Sequence, residues 1–314
     1  MHNETNLLRQ AGTLREKVKV YSHRGGERFW ELDFLRGLCV LLMIFDHFMF
    51  CIWGVMPMVN EILGTSVLES AAAFAERYWD SAFRHTARFL VLCVFFGLCG
   101  VSCTLSKNNF KRALPIAGLA VFINIASAVI EEYFGGGMTV VFGVLHMLSA
   151  SVLIFALLDL LVTALVRAFG IGETGESVLR FLPGAVGVVF AALYFSLWGE
   201  LSAVNGWQVV GTVSASGDRL KDMILGIFVE MPQSPYLMHA DYFPLLPWGS
   251  FVLIGSLFGR GIYHTYAKNA LKRLNGPWNA GFCFLGRHAA LFYLGHMAAV
   301  PAVLVFFALV SMIF

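Results

Sequence analysis

Apolar residues run along this chain in blocks of about 20, the length a helix needs to cross a bilayer. The blocks predict seven spans, at 32–56, 85–105, 114–130, 139–166, 181–197, 243–263 and 282–312. Polar stretches separate them. The loop at 57–84 carries Ala71 to Ala75 and Tyr78-Trp79, a pattern that predicts an amphipathic helix lying in the interface. Gly135-Gly136-Gly137 marks a turn. The region from 198 to 241 is long and polar, and its apolar run at 223–229 is too short to span. Pro301 predicts a kink in the last span. The first 30 residues are polar and of mixed charge. They lack the apolar core and small-residue cleavage site of a signal peptide, and predict a cytoplasmic tail. The pattern predicts an all-α fold, a polytopic transmembrane helical bundle of about seven spans, with one domain over 31–314 and no internal repeat.

Composition agrees. The chain is 58% hydrophobic and only 13% charged, about half the charge of a soluble domain, and its mean hydropathy is +0.72. A net charge of +2 is too small to argue for nucleic acid. The placement of positive charge says more. Arg and Lys gather in the tail, in the loop with Lys107, Lys111 and Arg112, around Arg167 and Arg180, and between Arg260 and Arg273. With seven spans these loops share one side, which predicts a cytoplasmic amino terminus. The six cysteines all fall in apolar segments without a CxxC pair. They predict small buried hydrophobes, and no metal site is expected.

The stretch from 31 to 50, ELDFLRGLCVLLMIFDHFMF, departs from the pattern. It is apolar enough to span, yet carries Asp33, Arg36, Asp46 and His47. Ionisable groups inside a span are costly and point to a functional interior. Arg36 and His47 are eleven positions apart, so a helix puts them on one face, about 16 Å apart along the axis. Asp33 and Arg36 are spaced to pair. Asp46 points about 100° away from His47 and would meet a neighbouring helix. His146 in VFGVLHMLSA and His296 in FLGRHAALFYLGHMAAVP are further candidates. Asp241, Tyr242 and Trp248, in HADYFPLLPWGSF, would line an opening where two prolines disturb the helix start. An aromatic belt explains that segment as well. Gly97, Gly100 and Ser102 make a small-residue face for close packing. Lys107 and Arg112 suit nucleotide phosphates, although positive-inside charge accounts for them equally. The chain has no phosphate-binding glycine loop and no nucleophile-elbow motif.

Five segments in order, ELDFLRGLCVLLMIFDH, FFGLCGVSCTLSKNNFKRA, VFGVLHMLS, DYFPLLPW and FLGRHAALFYLGH, resemble the catalytic domain of heparan-alpha-glucosaminide N-acetyltransferase, and more closely its small prokaryotic members. The likeness covers about 28–300. It also reaches a wider set of transmembrane acyltransferases whose first helix carries an arginine, ten residues, then a histidine, as Arg36 and His47 do. The resemblance implies acetyl transfer from cytoplasmic acetyl-CoA to an extracytoplasmic or lipid-linked sugar acceptor. His47 inherits the catalytic role and Arg36 the site-shaping or donor role. The residues read by themselves add Asp46 or His146 as assistants, Lys107 and Arg112 for the donor, and Asp241, Tyr242, Trp248 and His296 for the acceptor. There is one departure. The lysosomal enzyme has asparagine where His47 stands and draws its histidine from the following loop. Here residues 57–84 hold no histidine, and His85 lies just past them. Heparan specificity therefore does not carry over. The expected setting is the bacterial inner membrane, with membrane lipid around the protein and a homodimer as one option. The rival reading is a transporter of a small anion or polar metabolite, since intramembrane Arg, His and Asp also build relays.

Overall fold

The structure is a computed structural model and describes residues 29–134, 139–232 and 241–313. The tail before Phe29, the turn at Gly135-Gly136-Gly137 and His239 lie outside the described residues. Among the described residues, seven helices are long and apolar enough to cross a membrane: Trp30–Leu63, Ala82–Leu105, Asn109–Tyr133, Val144–Phe169, Glu173–Leu197, Leu245–Tyr263 and Ala289–Ser311. The expected all-α spanning architecture is therefore present, with two departures. The block expected at 282–312 is two helices, broken at His288, whose backbone leaves the helical region. The polar region after 198 contains a short hairpin and a ten-residue helix.

The chain forms two compact units. The terminal unit holds 28–95, 202–208 and 273–314. In it α1 (Trp30–Phe50) runs through one π-helical turn (Cys51–Val55) into α2 (Met56–Leu63). Then come α3 (Glu69–Trp79) and the first half of α4 (Ala82–Leu105). The helix expected near Tyr78-Trp79 is α3. Gly64 ends α2 in the left-handed region, φ 65°, where a side chain would be strained. Buried Asn60 then ties the loop. Its amide donates to the Val67 carbonyl at 2.9 Å, and its oxygen accepts from Thr65 Oγ1 at 2.8 Å and Val67 N at 3.2 Å. Met49, Ile52, Met56, Ala75, Leu304 and Ala308 form a buried apolar cluster.

The remaining terminal-unit helices come from the far end of the chain: α11 (Ala280–Arg287) and α12 (Ala289–Ser311). Backbone meets backbone between α1 and α11. A Cβ at Gly37 would overlap the Phe282 carbonyl, and one at Gly286 the Asp33 carbonyl. Residues 202–208 complete the unit. Asn205 donates to the Asp80 carbonyl at 2.9 Å, and Thr86 Oγ1 accepts from Trp207 N at 3.1 Å.

The central unit holds 96–201 and 209–272. It comprises the end of α4, α5 (Asn109–Phe134), α6 (Val144–Phe169), α7 (Glu173–Leu179) and α8 (Leu182–Leu197). Strands β1 (Gly199–Ser202) and β2 (Gln208–Gly211) pair in a two-stranded sheet. After them come α9 (Arg219–Phe228) and α10 (Leu245–Phe258). The expected small-residue face does bring α4 and α10 together, because a Cβ at Gly100 would overlap the Val252 carbonyl and one at Gly255 the Gly97 carbonyl. Cys103, Ala113, Val152, Phe155 and Leu253 pack as the buried core of this unit.

Candidate functional site

Two imidazoles meet in the terminal unit. His47 on α1 and His296 on α12 have ring centroids 4.8 Å apart, edge to face at 72°. Each ring is fixed by its own helix. His47 Nδ1 lies 2.9 Å from the Met43 carbonyl, and His296 Nδ1 lies 3.0 Å from the Phe292 carbonyl. A carbonyl oxygen only accepts, so each Nδ1 carries the proton, and each neutral ring is left with a lone pair on Nε2. That is the tautomer a base requires. His296 is 6% exposed, and its Nε2 is buried without a hydrogen-bond partner among the described residues. Such an orphan is uncommon, because buried polar atoms are nearly always satisfied.

Asp46, one residue before His47, faces elsewhere. Its carboxylate takes a bidentate pair from Arg84, Nε to Oδ1 and Nη2 to Oδ2, both at 2.9 Å, and a third bond from Tyr78 Oη at 3.1 Å. The Arg84 side chain is only 7% exposed, against 21% for Asp46, and its guanidinium lies 3.7 Å over the Trp79 ring. Burial, together with the Asp46 charge and the bond to it, pushes the Tyr78 phenol up to about 12. This cluster fixes α1 against α3 and α4 one residue from His47. Arg84 and Tyr78 were missed by the sequence reading. Nothing local marks them as partners of an aspartate more than thirty residues away.

At the other end of α1, Arg36 Nη1 pairs with Asp33 Oδ1 at 3.1 Å, as the spacing predicted. Arg287 of α11 adds Nε at 3.5 Å from Asp33 Oδ2. Two guanidiniums thus share one carboxylate, and this trio carries excess positive charge.

The remaining candidates lie in the central unit. Asp241 Oδ2 accepts from Val144 N at 3.0 Å, at the start of α6. His146 Nδ1 accepts from Gly143 N at 3.3 Å. A backbone N–H only donates, so the neutral His146 ring presents Nε2–H, the reverse of His47. Tyr242 Oη donates toward the Gly226 carbonyl at 2.8 Å or that of Val229 at 3.0 Å, and accepts from Met231 N at 3.4 Å. Burial raises its phenol pKa, and the Met231 N–H works against that. Trp248 is 6% exposed and packs against Phe96, Phe243 and Phe251. The Arg112 guanidinium lies 3.9 Å and 3.8 Å from the Cys103 and Cys99 sulfurs, and Lys107 is exposed.

So the structure gathers Arg36, Asp46, His47 and His296 in one unit, and Lys107, Arg112, His146, Asp241, Tyr242 and Trp248 in the other. A cleft of about 280 Å³ opens between α2 and α3, lined by Ile52, Met56, Asn60, Glu61, Thr65 and Leu68 among others; neither Arg36 nor His47 reaches it. Among the described residues, no group of three or more His, Cys, Asp or Glu side chains is placed to hold a metal ion.

A family model described as heparan-alpha-glucosaminide N-acetyltransferase, catalytic, matches residues 28–171 and 181–298. No curated protein and no solved structure matches the chain. The matched residues run from before α1 to just past His296, and so take in both facing imidazoles and five spanning helices in full. A multi-pass membrane protein by its helices, the chain belongs by this match to the catalytic-domain family of heparan-alpha-glucosaminide N-acetyltransferase.

Proposed function

We infer that the protein transfers an acetyl group from cytoplasmic acetyl-CoA to an extracytoplasmic or lipid-linked sugar. Membership of an acetyltransferase family supports the reaction class. The observation that carries the assignment to residues is the tautomer of His47: its Nδ1–H is committed to the Met43 carbonyl, which leaves Nε2 to act as a base. In this reading His47 Nε2 removes the proton from the acceptor amine or hydroxyl. The acceptor atom attacks the acetyl carbonyl, the carbon–sulfur bond breaks, and the proton ends on the CoA sulfur. A variant of the scheme places the acetyl group on Nε2 before the acceptor takes it. Arg36, sharing Asp33 with Arg287, supplies positive charge for the anionic donor; for Lys107 and Arg112, in the other unit, the support is the sequence pattern. Asp46, held by Arg84, acts as a positioning residue for the end of α1. For His146, Asp241, Tyr242 and Trp248, all in the central unit, the support is the sequence pattern, which suggests assistance and acceptor contact.

The test uses the full chain in lipid nanodiscs with labelled acetyl-CoA and a panel of membrane glycans. CoA release and labelled product are expected, and His47→Ala should lower the rate by about 10²–10⁴-fold, the usual contribution of a positioned base. Absence of both CoA release and acetyl transfer, with solute accumulation by vesicles containing the protein, would show a transporter instead.

A further inference from the structure

The unassigned feature is the second ring. His296 comes from the last helix, is almost wholly buried, and keeps an unpartnered Nε2 beside His47. A structural histidine would be expected to satisfy both nitrogens, since an orphaned buried acceptor is destabilising. Here only Nδ1 is satisfied, and in the same way as in His47. Both neutral rings therefore carry their lone pairs on Nε2, and neither can give the other a proton until one arrives from outside. We propose that His47 and His296 form a two-imidazole relay in which His296 takes over the proton that His47 removes from the acceptor. This rests on the acetyltransferase reading above and adds a second group to it.

The step balances as follows. The acceptor N–H or O–H gives its proton to His47 Nε2 while its electron pair forms the bond to the acetyl carbon. His47, now an imidazolium, passes the Nε2 proton to His296 Nε2 and recovers its lone pair. When the carbon–sulfur bond breaks, the electron pair stays on sulfur, and the proton returns through His47 to make the CoA thiol. No bond joins the rings at rest, so the transfer needs a ring rotation or one bridging water. His296 itself need not touch substrate and is a positioning and proton-holding residue.

His296→Asn separates this role from a structural one. The asparagine amide can still donate to the Phe292 carbonyl, but Nε2 is gone. In nanodiscs, with acetyl-CoA as donor and glucosamine and a mixed membrane-glycan fraction as acceptor probes, kcat should fall by about 10²-fold. KM for acetyl-CoA should stay within about twofold. A His296→Asn protein with nearly wild-type kcat would overturn the relay. His296→Gln is a second variant should the first fold poorly.

An arm without turnover uses Zn²⁺ as a probe. Imidazoles whose other N–H points at a carbonyl are suited to bind it, and loss of one ligand should weaken binding by at least about 10-fold. Wild type should bind one Zn²⁺ that both His47→Asn and His296→Asn weaken. Equal binding by all three would overturn the pairing while leaving the acetyltransferase reading intact. A Zn²⁺ difference without any CoA release from wild type would overturn that reading, and with it the task assigned to the relay.

Discussion

Arg84→Met should cost the terminal unit more stability than loss of an ordinary surface charge. The substitution keeps much of the side-chain length and removes the guanidinium. Asp46 would then lose two bonds of 2.9 Å and keep only that from Tyr78. Coulomb's law for unit charges about 4 Å apart gives about 4 kcal/mol at an effective dielectric constant of about 20. Asp46 is 21% exposed, so water recovers part of its solvation, and about 2–4 kcal/mol is the expected loss. The contact over Trp79 adds about 0.5–1 kcal/mol. A double-mutant cycle isolates the pair: Arg84→Met, Asp46→Asn and both together, each unfolded reversibly in mixed detergent micelles. Asp46→Asn removes the charge that Arg84 serves, so the double variant should lose less than the sum of the singles, with a coupling energy of about 2–3 kcal/mol. Coupling below about 0.5 kcal/mol would mean that the pair behaves as an exposed one, and the burial argument for α1 would fail. In the acetyl-transfer assay, the same variants should lower kcat by displacing His47, although Arg84 lies outside the reacting atoms.

Three further outcomes are expected. Gly286→Ala places a Cβ where the Asp33 carbonyl stands, and should cost about 1–3 kcal/mol or more by overpacking; an unchanged melting temperature would refute the contact. Asn60→Ala leaves the Val67 N–H and carbonyl without their partner and should cost about 1–3 kcal/mol, read as earlier proteolysis of the α2–α3 loop. Asp222 is wholly buried, and its pKa is lowered, first by the Ser216 hydroxyl and then by the Ser216 N–H. Its contribution is present above the ordinary carboxylate range and is lost as pH falls through the lowered pKa. Ser216→Ala should therefore move the acid-unfolding limb to higher pH, and an acid limb at the wild-type position would contradict the assignment.

Much of this was legible in the sequence, and the reason is physical. A span must hide its backbone and expose apolar side chains to lipid, so hydropathy alone marks seven helices. Charges inside α1 stood out because lipid makes them costly. The Asp33–Arg36 pair followed from helix spacing. What the sequence withheld are partnerships between distant segments. Asp46 meets Arg84, Asp33 meets Arg287, and His47 meets His296, and no periodicity encodes such meetings. The break at His288 was hidden for another reason: the apolar run continues across it, and only the backbone angles show that one helix ends and another begins. The opposite tautomers of His47 and His146 depend on whether a carbonyl or an N–H lies nearest, which residue type does not reveal.

The glycine contact between α1 and α11 has a bearing on biogenesis. Of the described helices, α1 leaves the ribosome first and meets α11 backbone to backbone, with more than two hundred residues made in between. Until that partner is inserted, the Gly37 groove has nothing to fit against it and Asp33 lacks Arg287. The nascent chain must hold a charged, grooved helix in the bilayer through most of its synthesis. A protein truncated before residue 273 would carry every ionisable group of α1 and still be unable to close around them.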